Sequence, residues 1–267
     1  MEIYKSLGNL RFNQTHSTFF IIFIFLAIIG TQYIYVYDDV GIGIILTLFV
    51  VIFIYIVISV IKMSRSFMES AEALALVPLY VMFTSSLPWF FIDQTFLMPA
   101  VYSIVLALCF WHIYYKNLDF SDVGLIPGNY IKFIIIGVMI GFFTGIIEYF
   151  VLLPAPSFPS FEVKYFLRDA VYMLLFVGLG EELLFRGIIQ NELIRTFGVR
   201  WGIVGQGFLF GIMHMTWRSV PELGFTFLAG ILLGYLYYRT GSLTAPIVLH
   251  GVNNIMLVAV LPYIFLK

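Results

Sequence analysis

Charge is what this 267-residue chain has least of. Asp, Glu, Lys and Arg make up 11% of it and hydrophobic residues 61%, whereas a soluble globular protein carries about 25% charged residues. That balance excludes a water-soluble body and is the balance of an integral membrane protein. No basic patch offers nucleic acid a surface, and a net charge of −1 selects no partner by its sign. The single cysteine, Cys109, cannot close an intramolecular disulfide. An Ala-x-Ala cleavage pattern is missing from the apolar stretch behind Lys5 and Arg11, which therefore reads as a retained first span rather than a secretory signal. There is no internal repeat, no soluble domain and no low-complexity tail.

Long apolar runs are what the sequence does have. Nine can be counted, at 18–37, 40–61, 73–92, 96–115, 131–153, 169–190, 201–217, 222–239 and 243–266. Each is close to the ~20 residues that cross ~30 Å of hydrocarbon. The fold class expected is an all-α, polytopic membrane helix bundle with eight or nine transmembrane helices; the lower count applies if one early segment is re-entrant or interfacial. With the N-terminus inside, ten of the fourteen basic residues fall at inner ends, Lys5, Lys116 and Arg239 among them, and four (Lys164, Arg168, Arg218 and Lys267) at outer ends. The positive-inside rule thus favours a multi-pass cell-membrane protein with its N-terminus inside. Residues 117–129 form an inner loop with room for a short interfacial helix. Residues 153–164 form an outer loop whose prolines stop any helix. Glycines four apart, at Gly137/Gly141/Gly145, Gly207/Gly211 and Gly230/Gly234, mark places where helices approach closely.

The buried polar groups gather in the second half. Gly180-Glu181-Glu182-Leu183-Leu184-Phe185-Arg186-Gly187 sets two carboxylates and a guanidinium inside an otherwise apolar run. An ionisable group at membrane depth costs roughly 2.5–3.5 kcal/mol on insertion scales and marks a functional position by default. Glu182 and Arg186 are four apart, share a helix face and can neutralise each other. Glu181 points about 100° away with no local counter-ion, so it reads either as a protonated carboxyl hydrogen-bonded in the bundle or as a general base. His214 lies alone in the seventh run. His250 and Asn254, four apart in the last, could act as two donors to a developing oxyanion; helix-to-helix hydrogen bonding is the alternative for both. Counted from the inner ends, the three sets fall at similar depths. Glu148, near an outer end and within reach of water, is a lesser candidate; His16 and His112 lack companions.

Taken in order, Glu181-Glu182-x-x-x-Arg186, Phe210-x-x-x-His214 and His250-x-x-x-Asn254, with Tyr238-Arg239-Thr240-Gly241-Ser242-Leu243-Thr244-Ala245-Pro246 before the last, resemble the CAAX protease and bacteriocin-processing (CPBP, or Abi) family of intramembrane endopeptidases. The resemblance covers about residues 165–260. It divides the chain into N-terminal transmembrane helices of unassigned role, 1–164, and a catalytic helical core, 165–267, within one membrane domain. It implies hydrolysis of peptide bonds in membrane-associated substrates. Glu181 would activate water with help from His214, His250 and Asn254 would stabilise the oxyanion, Glu182 and Arg186 would hold the first motif, and Phe210 would wall the site.

The implied partners are a peptide or protein substrate, prenylated or not, and the lipid bilayer, with no nucleic acid. No cofactor is expected under the metal-free glutamate mechanism that the resemblance favours. A divalent metal such as zinc, held by Glu181, His214 and His250, is the alternative donor set, although the sequence has no His-Glu-x-x-His helix. Two other function classes fit the same composition: a non-catalytic scaffold or bacteriocin-immunity protein, and a transporter using Glu and His as a proton relay. Inverted repeats would favour the transporter, and none is found.

Overall fold

A computed structural model describes residues 11–85, 92–126 and 128–265. Among them there are nine helices and no strand. They are α1 (Gln14–Tyr37), α2 (Val40–Val60), α3 (Arg65–Ser85), α4 (Leu97–Tyr115), α5 (Tyr130–Leu152), α6 (163–197), α7 (199–217), α8 (Val220–Thr240) and α9 (Thr244–Phe265). Seven are long and apolar enough to cross a membrane; α6 and α7, which carry Glu181, Glu182, Arg186 and His214, are the two outside that set. The nine helices follow the nine apolar runs in order. The largest shift in a described boundary is at α3, which begins at Arg65 rather than 73 because its first turns carry Glu69 and Glu72. These charges find partners at the helix end: Arg65 Nε meets Glu69 Oε1 at 2.8 Å, and Lys116 pairs with Glu72.

Contacts between loops fix which ends lie together. At one end Phe12 N–H donates to Lys62 O (2.9 Å), Leu243 N–H to Gly124 O (2.9 Å) and Thr196 Oγ1 to Ser66 O (2.9 Å). At the other, Arg218 Nη2 donates to Val36 O (2.6 Å), Ser85 Oγ to Tyr35 Oη (3.0 Å) and Phe158 N–H to Tyr263 Oη (3.2 Å). Consecutive helices therefore run up and down. Arg11, Lys62, Arg65, Lys116, Arg195 and Arg239 gather at the first end; Lys5 and Lys267 lie outside the described residues. The short α1–α2 connection is held by Asp39, whose Oδ1 accepts the Ile42 N–H at 2.8 Å and starts α2. The 117–129 loop, given room for a short helix from its sequence, consists of turns over its described residues.

Around the bundle, Phe19, Phe23 and Leu26 on α1 and Phe142 and Phe143 on α5 are exposed. This is the outward apolar surface that a membrane protein turns to lipid. The core is built on α6, where every residue from Glu181 to Gln190 is buried. A helix enclosed on all sides is hydrophobic around its whole circumference, and this stretch of α6 departs from that rule only at Glu181, Glu182, Arg186 and Gln190. Leu183, Leu184, Phe185, Ile188 and Ile189 fill the remaining directions.

The glycine spacing does what the sequence suggests. A methyl at Gly141 would lie 2.4 Å from the Leu249 carbonyl oxygen, and Gly137 and Gly145 meet the Ala245 and Asn253 carbonyls in the same way. Thus α5 lies directly on the α9 backbone. Gly207 of α7 and Gly230 of α8 face each other, where a methyl on Gly230 would stand 2.8 Å from Gly207 Cα.

Candidate active site

Glu182 is the fixed point. It has no solvent exposure, and its Oε1 accepts from Arg186 Nη1 at 2.7 Å, one turn along α6, and from His250 Nδ1 at 2.7 Å across on α9. Arg186 is likewise fully buried, reaches the Gly230 carbonyl at 3.3 Å through Nη2, and lies over the Phe210 ring at 4.4 Å. Beside the guanidinium, the Glu182 oxygen serves as acceptor, so the imidazole donates from Nδ1. The pairing of Glu182 with Arg186 expected from their spacing is present, and it also orients His250.

Glu181 points elsewhere, as its position on the helix requires. Its Oε1 accepts the Tyr102 phenol of α4 at 2.6 Å, while Oε2 is buried with no hydrogen-bond partner and lies 3.9 Å from His250 Nε2. The α-helical turn Leu179–Glu182 that carries both carboxylates is flanked by π-helical stretches, Met173–Gly178 and Leu183–Gln190. Such wider turns recur at functional sites and change the aim of side chains that a regular 3.6-residue helix would send elsewhere.

His214 stands where α7 tightens from α-helix into the 3₁₀ turn His214–Trp217. Its Nδ1 is 2.8 Å from the Phe210 carbonyl, which can only accept, so the ring donates from Nδ1 and Nε2 remains an acceptor. Phe210 links the three sets: its ring centroid is 4.7 Å from that of His214, 5.6 Å from His250 and 5.3 Å from Phe185. Hydrogen bonds and ion pairs tie His250, not His214, to Glu181 and Glu182. The depths are not matched by residue count: His214 is at the far end of α7, whereas His250 is under two turns into α9. They meet nevertheless, because His214, His250 and Asn254 line one cavity of about 30 Å³, room for a water molecule.

Glu148 differs from its sequence expectation. Instead of reaching water at the end of α5, it is 5% exposed, lines that same cavity and accepts a hydrogen bond from Asn253. The close seating of α5 on α9 at Gly145 draws it inward. Glu222, in the first turn of α8, is also fully buried, and its carboxyl group is paired with that of Glu148. Tyr102 and Glu222 carried no signal in the sequence. Tyr102 is one of 17 tyrosines, and Ser219-x-x-Glu222 reads as an ordinary helix start, with Ser219 Oγ accepting the Glu222 N–H at 3.3 Å.

Among the described residues no group of three His, Cys, Asp or Glu side chains is arranged to hold a metal ion. Glu181, His214 and His250 do not form such a group.

Residues 164–256 match the family model of type II CAAX prenyl endopeptidases, Rce1-like. Over this stretch the chain is similar to that family. The matched segment runs from the start of α6 into α9 and includes Glu181, Glu182, Arg186, His214, His250 and Asn254; α1 to α5 lie outside it. The family implies a protease, and hence peptide substrates. No curated protein and no solved structure matches the chain.

Proposed function

We propose that the protein is an intramembrane endopeptidase that hydrolyses peptide bonds of membrane-associated substrates, with Glu181 as the base. The observation that carries this is the pair of atoms Glu181 Oε2 and His250 Nε2, 3.9 Å apart. With Nδ1–H committed to Glu182, His250 Nε2 is an acceptor, and so is the free carboxylate oxygen. Two acceptors at that separation are too far apart for a direct hydrogen bond and suit one water donating to both. As that water attacks a scissile carbonyl, its proton passes to Glu181 and is then delivered to the leaving amine. The Asn254 amide lines the cavity shared with His250 and is available to the oxyanion. His250 Nε2 takes up the second proton of that water in the tetrahedral intermediate and so becomes a second donor to its oxygens, with Glu182 as its counter-charge. His214 presents Nε2 as an acceptor to the same cavity and helps hold the water. Glu182 and Arg186 keep the arrangement rigid, which is the condition for electrostatic stabilisation of a transition state.

In this reading α6 and α7 also cross the bilayer, giving nine spans and a multi-pass cell-membrane protein. Residues 165–267 form the catalytic core and 1–164 a supporting set of spans. The N-terminus is inside, because the end of the bundle richer in Lys and Arg is the cytoplasmic one. No cofactor is required.

Substrate class is decided by incubating reconstituted protein with a farnesylated CAAX peptide and its unprenylated counterpart and reading the products by mass spectrometry. Cleavage of either peptide supports the reading, and the ratio of the two rates reports whether a prenyl group is recognised. Equal cleavage by Glu181→Gln protein would overturn the assignment of the base.

A further inference from the structure

We infer that Tyr102 is a positioning residue for Glu181, so that the N-terminal spans complete a site whose motifs all lie in the Rce1-like segment. The inference rests on the proposed role of Glu181. Tyr102 belongs to α4, about sixty residues before the matched segment begins. Its phenol donates to Glu181 Oε1 at 2.6 Å, the short range of a hydrogen bond to an ionised acceptor. Among the described residues Glu181 makes no other hydrogen bond: Oε2 is unpartnered and lies 3.9 Å from His250 Nε2.

A glutamate side chain has three rotatable bonds, and a carboxylate held at one oxygen loses most of that freedom. The Tyr102 bond therefore decides which oxygen is left to face His250 Nε2. Without it, both oxygens are free to exchange places and to turn away from the nucleophilic water. Packing of α4 against α6 brings the phenol to this position. A methyl at Gly180, the residue before Glu181, would touch Tyr102 Cδ1 at 3.4 Å, Val105 Cγ1 at 3.7 Å and Leu106 Cγ at 3.8 Å. Thus α4 lies against α6 at the one glycine adjacent to the base. Tyr114, on another face of α4, is 83% exposed. The chain therefore places one tyrosine hydroxyl of α4 in the interior and another outside, and the two can be compared directly.

A tyrosine that served packing alone would be replaceable by phenylalanine. Removal of a hydrogen bond to a charged group corresponds to about a tenfold to hundredfold change in rate. The test uses the full chain in liposomes with whichever peptide the wild type cleaves. Tyr102→Phe is expected to lower kcat by that factor with KM changed less than about twofold, with an unchanged melting temperature. 3-Fluorotyrosine at position 102, which keeps the hydroxyl, is expected to restore kcat, and Tyr114→Phe to leave it unchanged. A wild-type kcat in Tyr102→Phe, or a loss confined to KM, would overturn the inference while leaving the Glu181 assignment standing.

A second measurement needs no substrate. The infrared carboxylate stretch assigned to Glu181, by difference against Glu181→Gln, is expected to shift when Tyr102 becomes Phe. An identical band in both proteins would contradict the hydrogen bond itself. Failure of the protease reading shows separately, as cleavage that survives Glu181→Gln.

Discussion

Glu182 and Arg186 are buried together with no exposure, and an ion pair in that situation is a poor source of stability but a costly one to break. Removing one partner leaves an uncompensated charge and costs about 3–5 kcal/mol, whereas replacing both with apolar residues of similar size is often neutral. Arg186→Ala is therefore expected to lower the unfolding temperature strongly in detergent. A Glu182→Leu/Arg186→Met double variant is expected to regain most of that stability. It should nevertheless cleave no peptide, because His250 Nδ1 has lost its acceptor. A double variant that recovers both stability and activity would show that the pair only holds the fold. The pairing is legible from the four-residue spacing. That the same oxygen also holds His250 is not, because nothing along one helix states which neighbour faces it. Glu148 is hidden for a related reason: its position near a helix end suggests water, and only the α5–α9 contact at Gly145 explains its burial.

At the scale of elements, the nine helices are legible because hydrophobic runs of span length have few other uses. Their boundaries are less so. At the start of α3, Arg65, Glu69 and Glu72 read as a loop, although they are paired in the structure. The π-helical stretches around Glu181 leave no trace in composition or period, yet they determine how α6 presents its carboxylates. The glycine stripe is legible and has a measurable consequence. At Gly141 the obstruction to a side chain is the Leu249 carbonyl oxygen, 2.4 Å from where a methyl carbon would stand, and a backbone atom cannot turn aside. Gly141→Ala should force α5 off α9 and destabilise the protein by about 1–3 kcal/mol, the usual cost of overpacking. It should also lower activity, because Glu148 and Asn253 meet across the same seam. Thermal unfolding of the variant with no loss of stability would contradict this account of the contact.

For the whole molecule, the distribution of basic residues over the two ends gives an orientation that can be tested. The only cysteine, Cys109, is buried and can be changed to serine to give a background without thiols. In that background Ser121→Cys, in the loop after α4, should be protected from a membrane-impermeant maleimide in intact cells. Ser157→Cys, in the loop after α5, should be labelled. The reverse pattern would invert the topology. α6 packs against α3 and α4 as well as α7 and α9, so two of the N-terminal spans form part of the surroundings of the helix that carries Glu181 and Glu182.

The central claim, that Glu181 directs a water molecule at a peptide bond, is tested most directly by cleavage in ¹⁸O-labelled water. Wild-type protein is expected to leave one ¹⁸O in the new C-terminal carboxylate of the product, and equally folded Glu181→Gln protein is expected to yield no product. Labelled product formed by Glu181→Gln at the wild-type rate would contradict the account.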